Sequence, residues 1–299
     1  MTTLIITLLL IVGAYSVAVL ETWISTGRLK IMAPIIAAVA LFGREYNVPR
    51  KPDRLFFEVG PVLLLLSAVL AAAVIPLTPD LIIIDLATGA LFINAALVYV
   101  LVALLMAGWG PDGAYAMIGG WRFLGQLIAY AMLIVMPITA VAMRAESLLS
   151  TQIVTSQAVL WNIAYQPLGF VLFFIASMAL AFLPPFDMMV AKGELAGGVE
   201  AEYTGSRLAV FRFGRLVLII TLAAATVIFY LGGWLGPAIL PPWAWSAIKI
   251  LAVTIMMLLI GRFMPRIREA HLLSWCWIFG IPLALINILI VGLLVLEFA

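Results

Sequence analysis

The stretch "VGPVLLLLSAVLAAAVIPL", residues 59–77, decides the fold class of this chain. It runs for 19 residues without a charged side chain. At about 1.5 Å per residue, a helix of this length crosses the apolar core of a bilayer, which is roughly 30 Å thick. The run is continuous and lacks the strict alternation of apolar and polar residues that marks a barrel strand, so we expect a helix. The stretch therefore predicts a transmembrane helix.

Seven further apolar runs of similar length occur along the 299 residues. The eight predicted spans lie near residues 2–20, 59–77, 86–107, 124–143, 160–183, 216–240, 243–261 and 272–296. Hydrophobic residues make up 66% of the chain and charged residues only 10%, far from the composition of a soluble domain. We predict an all-α, polytopic membrane protein with about eight transmembrane helices, in which residues 1–299 form a single integral-membrane domain.

A shorter apolar segment, "IMAPIIAAVALF" at residues 31–42, falls between the first two spans. Twelve residues are too few to cross a bilayer as a helix. The segment predicts a short re-entrant or interfacial helix, with a helix packed under the bundle as the alternative.

Basic residues are distributed very unevenly among the predicted loops. Of the sixteen Lys and Arg residues, all but Arg144 and Lys249 follow spans one, three, five and seven. These fourteen are Arg28, Lys30, Arg44, Arg50, Lys51, Arg54, Arg122, Lys192, Arg207, Arg212, Arg215, Arg262, Arg266 and Arg268. By the positive-inside rule the odd-numbered loops are cytoplasmic and both termini lie outside. Lys249, near a helix end, is expected to turn outward to water.

Acidic residues gather on the same side as the basic ones. Ten of the fourteen lie there: Glu21, Glu45, Asp53, Glu58, Asp112, Asp187, Glu194, Glu200, Glu202 and Glu269. Such a mixed surface favours a docking face for partner proteins, with ordinary loop solubility as the alternative. Glu21 and Glu58 stand at the rims of spans one and two, where ionisable groups are functional candidates. Their neighbours in sequence, Arg28 and Arg54, are candidate partners; the alternative is that each acid is a rim residue that reaches headgroup water.

Several chemistries find no support in the sequence. With one histidine, His271, and one cysteine, Cys276, neither a metal cluster nor an intrachain disulfide is expected. No phosphate loop, dinucleotide fingerprint or nucleophile elbow occurs, and paired aspartate-rich magnesium motifs are missing. We predict no catalytic residue, no metal or other cofactor on this chain, and no nucleic-acid partner. A stand-alone membrane transporter or channel remains an alternative.

The motifs that remain occur in a recognisable order. They are "AVALFGREYNVPRKPDRLFFEVGPVL" (38–63), "AGW" (107–109), "GGWRFLGQLIAY" (119–130), "QPLGFVLFFIASMA" (166–179), "PFD" (185–187), "ELAGG" (194–198), "EYTGSRLAVF" (202–211) and "PRIR" (265–268). The series resembles subunit 1 of respiratory complex I, the H subunit of the bacterial NADH:quinone oxidoreductase. The same subunit type occurs in group 4 [NiFe]-hydrogenases and formate hydrogenlyases. The resemblance covers nearly the whole chain, and its specificity lies in order and spacing.

The resemblance implies a membrane-embedded anchor and coupling subunit of an ion-translocating redox complex in a bacterial or archaeal cytoplasmic membrane. Its partners would be peripheral iron–sulfur and quinone-reductase or [NiFe]-hydrogenase-like subunits, and antiporter-like membrane subunits that share the lipid bilayer. Iron–sulfur clusters would belong to the partners, and quinone would bind at a subunit interface. Whether the complex is an oxidoreductase with quinone or hydrogen chemistry stays open.

Family polar positions carry over to individual residues. Ion-path or quinone-cavity candidates are Glu21, Glu45, Glu58, Asp187, Glu194, Glu202 and Arg207. Arg122, Gln126 and Tyr130 match the family stretch on span four.

Departures from the family pattern concern charge. Ala131, Leu180, Val190 and Lys192 stand where the family has acids, and Leu183 stands where it has arginine. The Arg-x-Gly-Pro-Asn stretch expected after span one is also missing. Because a proton does not cross leucine or valine without ordered water, a weakened glutamate path is expected here.

Overall fold

The protein is described by a computed structural model that covers residues 2–45, 47–191, 193–237 and 239–298. Its helices are α1 (Thr2–Thr26), α2 (Ala33–Phe42), α3 (Arg54–Ala73), α4 (Gly89–Trp109), α5 (Ala114–Ala145), α6 (Ser150–Thr155), α7 (Asn162–Tyr165), α8 (Pro167–Leu180), α9 (Gly205–Tyr230), α10 (Pro242–Phe263), α11 (Glu269–Trp275) and α12 (Ile281–Phe298). A 3-10 turn at Gly198–Glu200 and a π-helical segment at Cys276–Gly280 complete the set. These ranges contain no β-strand, so the all-α prediction is confirmed.

Seven helical segments in the described ranges are long and apolar enough to cross a membrane. They are α1, α3, α4, α5, α9, α10 and the continuous stretch Glu269–Glu297. The eighth predicted span, residues 160–183, holds the four-residue α7 and the 14-residue α8, and α8 is about 21 Å long at the usual rise. Pro167 begins this helix and Pro184–Pro185 follows it, which limits its length.

The short α8 still carries the chain from one end of the bundle to the other. Before it, the Asn162 side chain accepts a hydrogen bond from Arg144 at the end of α5. After it, the Pro185 carbonyl accepts a hydrogen bond from Ile267 N–H, past the end of α10. The chain therefore passes through the bundle eight times, and the pass through α8 is mostly buried.

The odd-numbered loops meet at one end of the bundle, which we call the loop end. Asp53 N–H donates to the Gly110 carbonyl at 2.8 Å, which joins the first and third loops. Asn47 N–H donates to the Thr204 hydroxyl at 2.9 Å, which joins the first and fifth loops. Thirteen of the fourteen basic residues of these loops are described and lie at or near this end, as their pattern predicted, whereas Lys192 lies outside the described residues. Which side of the membrane this end faces stays a prediction.

The central helix α9 packs against α1, α3, α8 and α10. In its apolar 18-residue stretch, 83% of the residues are buried. It begins earlier than the predicted span, so three arginines (Arg207, Arg212 and Arg215) lie on it. It ends at Tyr230 rather than near residue 240. Gly232 and Gly233 adopt φ of +71° and +48° there, a left-handed conformation that glycine tolerates and that breaks the helix.

Lys249 overturns one expectation. Its side chain does not turn outward: the residue is only 8% exposed. The ammonium group donates to the carbonyls of Leu231, Gly233 and Leu235 at 2.7, 3.0 and 2.6 Å, and lies 4.2 Å from the ring centre of Trp161. The broken end of α9 leaves carbonyl groups without helical partners, and these attract the cation inward.

Helix α2 confirms the short helix predicted at residues 31–42. Only Leu41 is buried, whereas Ile36, Val39 and Phe42 are more than 60% exposed. The helix touches α1 and α9 from outside. This exposed placement favours an interfacial helix over one packed under the bundle.

Candidate functional site

Among the residues that the structure describes, five ion pairs lie at or near the loop end, and each joins two different structural elements. They are Arg207–Glu58 at 2.5 Å, Arg266–Asp187 at 2.7 Å, Arg122–Glu194 at 2.9 Å, Arg215–Glu21 at 3.3 Å and Arg212–Glu200 at 3.6 Å. We call them the loop-end ion pairs. Six of the predicted site residues take part in these pairs: Glu21, Glu58, Arg122, Asp187, Glu194 and Arg207.

Arg207 and Glu58 form the closest of these pairs. The guanidinium group donates through Nε at 3.0 Å and through Nη2 at 2.5 Å to the two carboxylate oxygens. Its carbon lies 5.0 Å from the ring centre of Phe57, one residue before the acid. This two-pronged geometry is the strong form of a charged hydrogen bond. The prediction that Arg54 pairs with Glu58 is wrong, because the crossing of α3 and α9 supplies a better-placed arginine.

Tyr203 lies beneath this pair and is 1% exposed. Its ring stacks on Phe57, with centres 4.7 Å apart, and on Phe211 at 6.0 Å. The hydroxyl donates towards the carbonyls of Phe57 and Ala107, each at 3.3 Å. Burial raises the pKa of the Tyr203 phenol above its ordinary range, and the negative charge of Glu58 adds to the rise. Tyr203 belongs to the motif "EYTGSRLAVF", but it was not among the predicted site residues, because a neutral tyrosine in a loop shows neither charge nor periodicity.

Glu21 and Arg215 join α1 to α9 at 3.3 Å, and both side chains are largely shielded, at 29% and 23% exposed. The Arg215 guanidinium carbon also lies 5.7 Å from the ring centre of Phe182. The prediction that Arg28 pairs with Glu21 is wrong. Arg28 follows the end of α1 and is exposed, whereas Arg215 meets Glu21 across the helix crossing.

Asp187 connects the loop after α8 with the loop after α10. One carboxylate oxygen accepts a hydrogen bond from Arg266 at 2.7 Å, and the other is buried without a partner in the described part of the chain. The neighbouring carbonyl of Phe186 accepts a hydrogen bond from the Gln126 amide at 2.9 Å. The predicted residue Asp187 and the predicted span-four residue Gln126 are thus brought into one region.

Several polar oxygens in this region lack partners among the described residues. Gln126 Oε1 and the Tyr130 hydroxyl lie one turn apart on α5, and Ser177 Oγ lies on α8, which packs against α5. Buried polar atoms nearly always have a hydrogen-bond partner, and ordered water commonly supplies it. Together with Asp187, these residues form what we call the buried polar cluster.

Three other predicted residues, Glu194, Glu202 and Glu45, lie outside the buried polar cluster. Glu194 pairs with Arg122 but remains 62% exposed. Glu202 lies over Gly113, where an added Cβ would come within 3.0 Å of a carboxylate oxygen. Glu45 is exposed, and the described residues offer it no ion pair.

At the positions where charged residues of the family pattern are replaced, Leu180, Leu183 and Val190 are buried, and Ala131 is half-buried. Lys192 lies outside the described residues. Within the described ranges, no three His, Cys, Asp or Glu side chains come close enough to hold a metal ion.

Fold and site together define a class: an all-α, polytopic membrane protein whose charged side chains are gathered into ion pairs at one end. The family model described as NADH dehydrogenase matches residues 23–292 of this chain. The chain therefore belongs to the subunit 1 family of respiratory complex I. It is an integral membrane protein and a complex-I-like membrane subunit, and the family implies partner subunits of the same complex. The resemblance noted in the motifs is confirmed.

Proposed function

We propose that this chain anchors the peripheral electron-transfer module of a complex-I-like redox assembly to the membrane, with the loop end as its docking face. The loop-end ion pairs are the observation that carries the proposal. They join the four odd-numbered loops into one surface of mixed charge. Complementary charge of this kind gives a docking face orientation and specificity.

The expected partners follow from the same surface and from the family. A peripheral subunit would bear iron–sulfur clusters and contact the loops that hold Asp187 and Glu194. Antiporter-like membrane subunits would pack against the exposed apolar sides of the bundle. Membership of a subunit family favours this assembly over the stand-alone transporter or channel considered above.

A coupling role is supported by the buried polar cluster. Oxygens of Gln126, Tyr130, Ser177 and Asp187 have no partner among the described residues, and they suit an internal chain of ordered water, which can carry protons. The apolar residues at positions 180 and 190 interrupt the acidic path of the family pattern. We infer that this subunit supports coupling through positioning and water, with a weaker acidic path than its relatives.

The electron acceptor is a separate question. Glu58, Asp187 and Glu194, three of the quinone-cavity candidates, are engaged in three different ion pairs and do not converge on one point. A quinone substrate would therefore need further walls from a partner subunit. Quinone-reductase and hydrogen-evolution assays on the same purified complex distinguish the two chemistries.

Affinity purification from membranes in a mild detergent tests the anchoring role. We expect mass spectrometry to identify an iron–sulfur subunit and an antiporter-like subunit with the tagged chain. The double variant Arg122→Gln with Arg266→Gln should lose the peripheral subunit and keep the membrane partners. The matched control is Arg144→Gln, at the opposite end. Recovery of the wild-type chain alone would contradict the proposal.

A further inference from the structure

A cavity of about 680 Å³ lies between α8, the end of α10, α11 and the π-helical segment. Its walls are almost entirely apolar and include Phe174, Met178, Phe186, Ile260, Trp275 and Phe279. The volume falls in the range of about 300–1,000 Å³ that small-molecule pockets occupy. None of the residues of the loop-end ion pairs lines it.

The walls of this cavity belong to the membrane-spanning part of the chain. Trp275, Ile278 and Phe279 lie within the continuous apolar stretch Glu269–Glu297. The π-helical segment Cys276–Gly280 widens the helix here, and Ile278 and Phe279 remain 63% and 56% exposed. π-helical turns frequently occur at functional sites. An opening at this depth, lined by aliphatic and aromatic side chains, suits a hydrocarbon chain.

Basic residues lie next to the wall of the cavity that is nearest the loop end. Arg266 and Arg268 flank the lining residue Ile267, and His271 lines the cavity one turn into α11. The nearby acids are turned to other elements. Asp187 accepts a hydrogen bond from Arg266, and the Glu269 carboxylate lies against Gly125 of α5. Arg268 is exposed and stands next to the lining residue Ile267 in the sequence, and the described residues that line the cavity include no Asp or Glu.

An apolar slot with a cationic rim has the chemistry of an anionic phospholipid. We propose that this cavity binds one anionic phospholipid of the surrounding bilayer. Arg268 and His271 hold the phosphate, and an acyl chain lies along Phe174, Trp275 and Phe279. Basic side chains at a membrane surface attract anionic lipid headgroups, whereas a zwitterionic headgroup lacks the net charge. The inference needs only an integral membrane protein and is independent of the proposed docking function.

Native mass spectrometry of the intact purified complex tests the proposal. Delipidated complex is titrated with phosphatidylglycerol or with phosphatidylcholine of the same acyl chains. We expect one phosphatidylglycerol per copy of this chain to bind at least fivefold more tightly, and Arg268→Gln to remove most of that preference. The matched control Arg44→Gln, an exposed arginine of the first loop, should bind as wild type does. Equal affinity for both lipids, or no effect of Arg268→Gln, overturns the proposal.

Photo-crosslinking locates the lipid and keeps the test independent of any variant. A phosphatidylglycerol with a diazirine in its acyl chain is irradiated with the wild-type complex, and labelled peptides are sequenced. Labels on residues 171–178 and 271–279 support the proposal. Labels confined to other helices of this chain, or to a partner subunit, contradict it.

Discussion

Arg207 and Glu58 stand 149 positions apart in the sequence and meet through two hydrogen bonds of 3.0 and 2.5 Å. Beneath them, Tyr203 stacks on Phe57. This contact joins α9 to α3 at the loop end, so the position of the proposed docking face depends on it. The Glu58 side chain is 54% exposed, and solvent therefore weakens the electrostatic attraction between the two charges. The two hydrogen bonds of the guanidinium group are kept.

Arg207→Lys should separate geometry from charge. Lysine keeps the positive charge but lacks the planar fork that engages both carboxylate oxygens. We expect a loss of about 1 kcal/mol in stability, measured as a lower unfolding temperature in detergent. The control Arg212→Lys alters a looser pair, at 3.6 Å, and should change little. Equal effects of the two substitutions would show that the fork is unimportant.

Lys249→Met should destabilise the opposite end of the bundle. The substitution leaves the carbonyls of Leu231, Gly233 and Leu235 without their common donor. A loss of about 3 kcal/mol is expected, since each buried unpaired group costs about 1–3 kcal/mol and relaxation recovers part of it. Thermal unfolding followed by tryptophan fluorescence measures the loss. Lys30→Met, at an exposed loop position, serves as the control and should match wild type.

The raised pKa of Tyr203 predicts a pH dependence of stability. An unfolded tyrosine loses its proton near pH 10, whereas burial and the charge of Glu58 keep the folded phenol protonated. The stabilisation is thus complete below pH 10 and declines as pH rises above it. Tyr203→Phe lacks this titration. The unfolding temperature of the wild type relative to that of the variant should therefore fall as the pH rises from about 9 to about 11. A constant difference would refute the prediction.

The Asn287 side chain holds α12 to the start of α8. It accepts a hydrogen bond from Gly169 N–H at 3.2 Å and donates to Gln166 Oε1 at 3.2 Å, in a buried setting. Asn287→Leu should cost about 2 kcal/mol, because two buried polar groups lose their partner. The double variant with Gln166→Leu should recover part of the loss. Additive losses in chemical or thermal unfolding would argue against a shared network.

Restored acids test the proposed weakness of the ion path. Val190→Glu combined with Lys192→Glu returns carboxylates to two family positions. We expect more ions translocated per electron, measured as a pH change inside proteoliposomes that contain the complex. Val190→Gln with Lys192→Gln controls for burial of a polar side chain without charge. Unchanged coupling in the glutamate variant would indicate that these positions do not limit conduction.

Hydropathy alone predicted the number of passes, because apolar length is a direct requirement of the bilayer. It overestimated the helix in the pass of α8, since a segment buried among other helices has no lipid thickness to match. The arginine partners of Glu21 and Glu58 were beyond prediction for a different reason. Partner choice depends on how α9 crosses α1 and α3, and sequence proximity to Arg28 and Arg54 carries no information on that crossing.

The orientation of the Lys249 side chain could not be predicted from the sequence either. A lysine near a predicted helix end normally reaches for water, but the glycine pair at 232–233 ends α9 early and presents carbonyls instead. The span-four residues Gln126 and Tyr130 were recognised from family motifs, whereas their unpaired oxygens emerged only from the packing of α5 on α8.

The loop-end ion pairs also determine when, during synthesis of the chain, the loop end can be completed. Glu58 is synthesised well before Arg207, and Asp187 precedes Arg266 by 79 positions. The loop end is therefore incomplete until α9 and α10 have entered the membrane. On the proposed function, a peripheral partner that recognises this surface binds only chains whose late helices are in place. Docking would then select correctly inserted chains, and chains that stall or insert wrongly would be left out of the assembly.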